Sequence, residues 1–135
     1  VTSGYKGSIA ETLTGTIQNS YSTAQLDAGW NTVGGMVGIL DGGLVRNCYY
    51  AGELEMMNGG IAANAVSTTA KPQVSNCYFQ SGTMIETIAL NSGNADVSNC
   101  AAKSADELKT EATVVLLNTS IQSTGYVFAE AFRYW

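Results

Sequence analysis

The sequence predicts an all-β fold, a parallel β-solenoid (β-helix) of about four coils. The first observation is a phrase that occurs four times, in which a β-branched residue is followed two positions later by Asn and then by Ser or Cys. Its copies begin at Ile17, Val45, Val74 and Val97. The second observation is their spacing, because the motif asparagines lie 28, 29 and 23 positions apart. Periods of about 20 to 50 residues are typical of stacked repeats.

The third observation is the pattern within each unit. The apolar stretches are short, β-branched or aromatic, and bounded by Gly, Asn, Asp and Ser, which indicates strands and turns rather than helices. The predicted units span residues 7–32, 33–57, 58–85 and 86–103. A unit of this size cannot bury its own apolar face, so successive units must stack to share a core.

Stacking places equivalent residues above one another. The motif asparagines are expected to form a ladder in which each side-chain amide bonds the next, and Asn also tolerates the left-handed backbone of a sharp corner. A bend at Asn would turn both the β-branched residue and the Ser or Cys towards the core, and the tyrosines that follow are expected to stack in a partly buried column. The predicted structural ladder comprises Asn19, Asn47, Asn76, Asn99, Cys48, Cys77, Cys100, Tyr21, Tyr49 and Tyr78.

The three cysteines occupy the repeat position and form no Cys-x-x-Cys or Cys/His arrangement, which excludes a zinc site of known spacing. An odd count leaves at least one thiol free or paired with another chain. Because stacked parallel side chains rarely meet the torsion that a disulfide requires, we expect thiols.

Residues 104–135 are predicted to form a carboxyl-terminal cap that belongs to the same domain. Ser104 and Glu107 have the spacing of a capping box, which predicts a helix over about 105–117. The expected apolar stripe of this helix is Leu108, Ala112, Val115 and Leu116. Alternating residues predict a final strand over about 125–133.

The two ends of the solenoid are expected to differ. A terminal coil exposes unpaired backbone groups that invite edge-to-edge association, and a helix laid over the end blocks it. We expect the helix to cover the last coil, whereas no equivalent cap precedes the first. The edge near Ile9 is therefore predicted to be more exposed than the edge near Val97.

Composition restricts the function. The chain has no histidine, which excludes His-based nucleophilic triads and removes the commonest metal ligand, and neither a metal site nor a cofactor is predicted. A net charge of -5 with six Lys and Arg argues against nucleic-acid binding. No apolar run approaches the roughly 18 to 20 residues of a membrane span, so no membrane insertion by this segment is predicted. The start at Val1, without initiator Met or signal region, is expected of a segment of a longer protein with other domains.

Two sets of side chains are candidates for function. Trp30, Tyr50 and Phe79 are the candidate ligand-binding residues, because an outward aromatic strip would offer a platform for sugar rings or a partner protein. Packing in the core is the alternative. Asp27 and Glu55 each lie eight residues after a motif Asn and are therefore expected on adjacent coils. Such a carboxylate pair could serve glycoside cleavage or hold calcium, and the alternative is two solvated turn residues.

Gly34-Gly-Met-Val-Gly38, followed by Asp41-Gly-Gly-Leu-Val-Arg-Asn-Cys-Tyr49 and Ala51-Gly52, resembles the GLUG-motif repeats of bacterial secreted and cell-surface proteins. The resemblance covers about 7–103 and is strongest in the second unit. The other units depart from the pattern at single positions: Ser20 replaces Cys, Ala63 replaces the final Gly, and Ala101 replaces Tyr.

The resemblance implies a non-catalytic β-solenoid region outside the bacterial cell, as in adhesin-like proteins and IgA-cleaving metallopeptidases. It supplies no catalytic residues. The function expected from it is that of a spacer, of an adhesion surface for a host protein or glycan, or of both. The alternative is a fragment of a polysaccharide-active β-helix enzyme that uses acidic residues such as Asp27 and Glu55.

Overall fold

The chain winds into a parallel β-solenoid of about four coils, which confirms the predicted fold class. A computed structural model describes residues 4–29, 31–55 and 57–123. The first coil contains strands β1 (Tyr5–Gly7), β2 (Ala10–Leu13), β3 (Thr16–Gln18) and β4 (Tyr21–Ser22). The second contains β5 (Thr32–Gly34), β6 (Val37–Asp41) and β7 (Leu44–Tyr50). The third contains β8 (Gly59–Val66) and β9 (Gln73–Gln80), and the fourth β10 (Glu86–Leu90), β11 (Asp96–Ser98) and β12 (Ala101–Lys103).

The strands form two parallel sheets of six strands each. One sheet has the order β1-β5-β8-β6-β2 with β10 paired to β8, and the other has the order β11-β9-β7-β3 with β12 paired to β9 and β4 to β7. The repeated phrase is in register throughout, since Ile17 pairs with Val45, Val45 with Val74, and Val74 with Val97. Each repeat therefore contributes one layer to both sheets.

The core lies between the two sheets and is built mostly from the second and third coils. The first sheet contributes Val37 and Leu40 of β6, together with Met36 in the bend before it, and the second contributes Val45 and Val74; all are fully buried. Aliphatic and β-branched side chains fill such a core well because they pack on a pleated surface without polar atoms to satisfy.

The carboxyl-terminal segment forms two helices rather than the one predicted over about 105–117. They are α1 (Ala105–Leu108) and α2 (Glu111–Ser123). The capping box is present: Ser104 Oγ accepts from the Glu107 amide, and the Glu107 carboxylate accepts from the Ser104 amide, both at 3.1 Å. The chain breaks after α1 because the hydroxyls of Thr110 and Thr113 donate to the Glu107 carbonyl at 2.7 and 2.8 Å. Threonine hydroxyls thereby compete with the backbone for a helical acceptor.

The helices pack along the side of the solenoid, with α1 against β12 and β9 and α2 against β7. The expectation that the carboxyl-terminal segment caps the last coil stays a prediction, because part of that segment lies outside the described residues. Leu108 and Leu117 are buried against Tyr78, in a cluster that also includes Tyr49 and Ala51. The predicted apolar stripe is wrong in phase, because Val115 and Leu116 are 54% and 43% exposed. The break between α1 and α2 changes which positions face the sheet. Neither helix has the length and apolar character that a membrane span requires, within the described part of the chain.

The two ends of the solenoid are exposed to a similar extent. Ile9 in the first coil is 46% exposed and Val97 in the last coil is 43% exposed. Side-chain exposure does not separate the two ends, so the difference expected between them stays a prediction, which amide exchange at Ile9 and Val97 would test. The strand predicted over about 125–133 lies outside the described residues.

Candidate functional site: the tyrosine flank

The corner of each coil is built by the motif Asn. Asn19, Asn47, Asn76 and Asn99 have φ values of 52°, 54°, 51° and 52°, in the left-handed region. Most L-residues avoid this region, whereas Asn enters it readily because its short polar side chain bonds locally. The same residue type at the same position in four units therefore produces the same bend.

The asparagine side chains bond in two pairs rather than in the continuous ladder predicted. Asn47 Nδ2 donates to Asn19 Oδ1 at 2.7 Å, and Asn99 Nδ2 donates to Asn76 Oδ1 at 2.6 Å. Asn47 is 1% exposed, and among the described residues no group donates to its Oδ1. In both pairs the amide of the later coil donates to the carbonyl oxygen of the earlier one.

The bend places the β-branched residue and the Cys on the same side. Val45 and Cys48 are both fully buried, as are Val74 and Cys77 one coil later. An unbroken strand would put the two residues of each pair on opposite faces. The alternation resumes after the bend, so Tyr49 lies outward and Tyr50 inward.

Tyr50 and Phe79 are core residues, which corrects their prediction as outward ligand-binding side chains. They are 0% and 3% exposed. Their rings fill spaces left by two glycines: a Cβ on Gly35 would lie 2.5 Å from the Tyr50 ring, and a Cβ on Gly60 would overlap the Phe79 ring. The Tyr50 hydroxyl donates to the Ala24 carbonyl at 2.7 Å. Trp30, the third predicted ligand-binding residue, lies outside the described residues.

The cysteines form a column inside the corner. Each thiol donates to the carbonyl two residues earlier in its own coil: Cys48 to Arg46 at 3.1 Å, Cys77 to Ser75 at 3.2 Å, and Cys100 to Ser98 at 3.3 Å. The carbonyl of the β-branched residue one coil earlier lies farther away, at 3.7 to 3.9 Å. All three are free thiols. Burial raises the pKa of the Cys77 thiol well above its ordinary value, which keeps it protonated at neutral pH.

The thiols are expected to differ sharply in reactivity. Cys48 and Cys77 are fully buried, whereas Cys100 lies at the last coil and is only half-buried. Since the exposed thiolate is the reactive species, an aromatic disulfide reagent at neutral pH should modify Cys100 first and the other two only on unfolding. A Cys100→Ser variant should show no fast phase. Two or more thiols reacting at the fast rate in the folded protein would contradict this burial.

Outside the corner, the tyrosines form a column that the helices cover progressively. Tyr21 pairs in register with Tyr49, and Tyr49 with Tyr78. The rings of Tyr21 and Tyr49 stack with centroids 5.1 Å apart and planes 8° from parallel. Tyr78 is buried beneath α1 and α2, Tyr49 is half-buried, and Tyr21 is 58% exposed. We call the surface formed by Tyr21, Tyr49 and the cleft beside them the tyrosine flank.

A cleft of about 400 Å³ opens between the helices and this column. Its lining includes Tyr49, Thr23, Gln80, Lys109 and Leu108. Burial raises the pKa of the Tyr49 phenol, so the hydroxyl stays a hydrogen-bond donor through neutral pH. An aromatic ring beside amide, hydroxyl and ammonium groups is the chemistry that recognises a polyol with an apolar face, as in a sugar ring.

Sequence reasoning predicted the tyrosine column but not the cleft. Thr23, Gln80 and Lys109 belong to no repeated phrase, and they come together because the helices fold back along the side of the solenoid. The only local signal was the position of α1, which begins directly after the last strand. The repeated sequence pattern does not determine where a helix that follows the last strand packs on the solenoid.

The two members of the predicted acidic pair lie at the surface. Asp27 and Glu55 are both exposed, and the Asp27 carboxylate accepts from the Gly29 amide at 3.0 Å. That bond closes a local turn in which Gly29 has a φ of 54°. No group of three or more His, Cys, Asp or Glu side chains that could hold a metal ion occurs among residues 4–29, 31–55 and 57–123.

Fold and corner together define the chain as a parallel β-solenoid repeat protein. Comparisons with models of known protein families, with curated proteins and with solved structures give no match. Within its class, the chain is characterised by an Asn corner that separates an inner thiol column from an outer tyrosine column.

Proposed function

We propose that this chain is a non-catalytic repeat module of a bacterial secreted or cell-surface protein, acting as a spacer and as a binding surface for a host glycan or protein. The observation that carries the binding role is the stacked pair of Tyr21 and Tyr49, with Tyr21 58% exposed beside a cleft of about 400 Å³. The repeated Gly-rich and Asn-Cys-Tyr phrases support assigning the units to the GLUG-motif class, and with it the location outside the cell.

Three physical features favour a binding role for the tyrosine flank. Covering a large exposed aromatic ring with a partner is favourable because apolar surface is removed from water. The loss of side-chain entropy is small, because only two χ angles determine the position of the ring. The Tyr21 ring is held in place by stacking on Tyr49. The lining of the neighbouring cleft includes Gln80 and Lys109, whose amide and ammonium groups can orient a ligand through hydrogen bonds.

The spacer role rests on how the coils are joined. Every strand pairing within the described residues is parallel and joins one coil to the next, so each coil is supported mainly by its neighbours. Such quasi-one-dimensional stacks extend in length by adding units without changing the cross-section. A stack of this kind separates the domains at its two ends by a fixed distance.

The test of the binding role is a glycan and host-protein array probed with the purified chain, followed by titration of each hit. Tyr21→Ala is expected to weaken binding by about 5- to 30-fold, the loss that corresponds to truncating a contacting aromatic residue. Tyr21→Phe should retain most of the affinity, because it keeps the ring. Thr83→Ala, at an exposed turn residue before β10, serves as the matched control and should bind like the wild type.

Two outcomes would change the proposal. If the array gives no hit, the spacer role alone remains. If a hit is found and Tyr21→Ala binds it with wild-type affinity, the binding surface lies elsewhere on the solenoid.

A further inference from the structure

The side chains that follow the motif asparagines have the same orientation in every coil. Ser20 Oγ donates to the Gln18 carbonyl at 2.8 Å. Cys48, Cys77 and Cys100 each donate to the carbonyl two residues earlier, at 3.1, 3.2 and 3.3 Å. Because the same bond to the same backbone position fixes the χ1 angle, the four side chains share one rotamer.

The register of the strands places consecutive sulfur atoms one coil apart. Cys48 pairs with Cys77. Cys100 lies between β11 and β12, whose registers both align it with Cys77. Neighbouring parallel strands are about 4.8 Å apart, and side chains of equal orientation repeat at the same interval. Consecutive Sγ atoms are therefore separated by about 4.8 Å.

This separation fits one metal ion held in a line between two sulfur atoms. A metal–thiolate bond is about 2.3 Å long, so two such bonds end to end span about 4.6 Å. Linear coordination by two thiolates suits Cu(I), a soft ion for which Cys is a preferred ligand. Structural zinc requires four ligands, and the described part of the chain contains no group of three or more His, Cys, Asp or Glu that could hold a metal ion.

Of the two thiol pairs in the column, the outer pair is better suited to a charged complex. Cys48 and Cys77 are both fully buried, and an ion between them would carry its charge into the apolar core. Cys100 is only half-buried. Solvent near Cys100 screens the charge of an ion that it shares with Cys77.

The backbone oxygens around Cys100 favour a bound cation over a bare thiolate. The carbonyl oxygens of Ser98 and Val74 lie 3.3 and 3.7 Å from the Cys100 Sγ atom. These oxygens would repel a thiolate, whereas they attract a cation that is bound to the sulfur. Loss of the thiol proton is therefore favoured when a cation takes its place.

We propose that Cys77 and Cys100 bind one Cu(I) ion as a linear bis-thiolate between the third and fourth coils. Binding breaks the two S–H bonds, releases both protons to the buffer and forms two Cu–S bonds. Copper and sulfur keep their oxidation states. The site lies on the inner side of the Asn corner and the tyrosine flank lies on the outer side, so the metal site does not depend on the proposed glycan or protein surface.

The test is a titration of the purified, reduced chain with Cu(I) under anaerobic conditions, both in the folded state and during refolding from urea. The expected result is one ion per monomer, detected by Cu(I)–thiolate absorption in the ultraviolet. X-ray absorption spectroscopy should find two sulfur neighbours and no third. Because the folded state holds the ion, binding should also raise the midpoint of thermal unfolding. An equal amount of Zn(II) should not displace the copper.

Serine substitutions identify the two ligands. Cys100→Ser should weaken Cu(I) binding by about 100-fold or more, as measured by competition with a chromophoric chelator, because it removes one of only two ligands. Cys77→Ser should have the same effect. Cys48→Ser is the matched control and should bind like the wild type, since Ser20 occupies the equivalent position in the first coil. Circular dichroism checks folding, and Cys100→Ala repeats the test at the half-buried position if Cys77→Ser does not fold.

Four outcomes would overturn the proposal. One is a wild type that binds Cu(I) no more tightly than Cys100→Ser does. Another is a loss of binding in Cys48→Ser, which would place the ion between the two fully buried thiols. The third is a spectrum with three sulfur neighbours. The last is a ratio of one ion to two chains together with a dimer in sedimentation, which would mean that copper joins the Cys100 thiols of two molecules.

Discussion

Substituting alanine for Gly60 is expected to lower the free energy of unfolding by about 3 kcal/mol. A Cβ at this position would overlap the ring of Phe79, which is 3% exposed and packed in the core. Neither the ring nor the adjacent strand can move far, because protein interiors are packed as densely as organic crystals. Urea unfolding measured by circular dichroism gives the change directly.

A matched substitution and a double-mutant cycle isolate the cause. Gly15→Ala is the control, since a Cβ there meets nothing within 4 Å and its effect should stay within about 1 kcal/mol. Phe79→Ala alone should cost about 3–5 kcal/mol by leaving a cavity. In that background, Gly60→Ala should cost at least about 1 kcal/mol less than in the wild type. Strictly additive costs would mean that the glycine is needed for a reason other than the ring.

The second large effect is expected at the corner of the second coil, where Asn47→Ala should cost about 2–3 kcal/mol. Alanine at a φ of 54° is strained by about 1–2 kcal/mol. The substitution also removes the hydrogen bond to Asn19 Oδ1, worth about 0.5–1.5 kcal/mol. Thermal and urea unfolding of the variant measure the sum.

Glycine at the same position separates the two contributions. Asn47→Gly keeps the left-handed conformation accessible and removes only the hydrogen bond, so it should cost less than Asn47→Ala. Asn99→Ala, at the exposed corner of the last coil, should also cost less. Equal losses for alanine and glycine at position 47 would contradict the conclusion that Asn is needed there for the backbone bend.

Much of the architecture could be predicted because one periodic phrase determines it. The interval between copies predicts stacking, and Asn at the end of a β-branched strand predicts a corner. Burial of Val45 and Cys48 on the same side follows from that corner alone. Each of these is a local property of one unit, and its repetition in the four units defines the fold.

The inward position of Tyr50 and Phe79 could have been derived by applying the alternation once more after the bend. If Cys48 points inward, Tyr49 points outward and Tyr50 inward again. The paired glycines at 34–35 and 59–60 were the accompanying signal, because Gly35 and Gly60 leave the space that the rings occupy. The prediction that Tyr50 and Phe79 lie outward was therefore wrong because the alternation of inward and outward side chains was not continued past the bend. The sequence itself contained the information needed to place them inward.

The docking of the helices could not be predicted in the same way. It depends on Leu108 and Leu117 meeting Tyr78, and on a break in the helix produced by Thr110 and Thr113. Those contacts join residues far apart in sequence, and no repeated pattern relates them. The cleft beside Tyr49 exists only because of that docking, so it could not be read from the repeats.

The central claim is that the four phrases are stacked in register, with asparagine at the corner, thiols inside and tyrosines outside. Nuclear Overhauser contacts between backbone protons in solution test it most directly. The expected contacts join Ile17 to Val45, Val45 to Val74 and Val74 to Val97 in the pattern of parallel strands, and the Tyr21 ring to the Tyr49 ring. Contacts of the antiparallel pattern, or a register displaced by one residue, would contradict the stacked corner and with it the tyrosine flank.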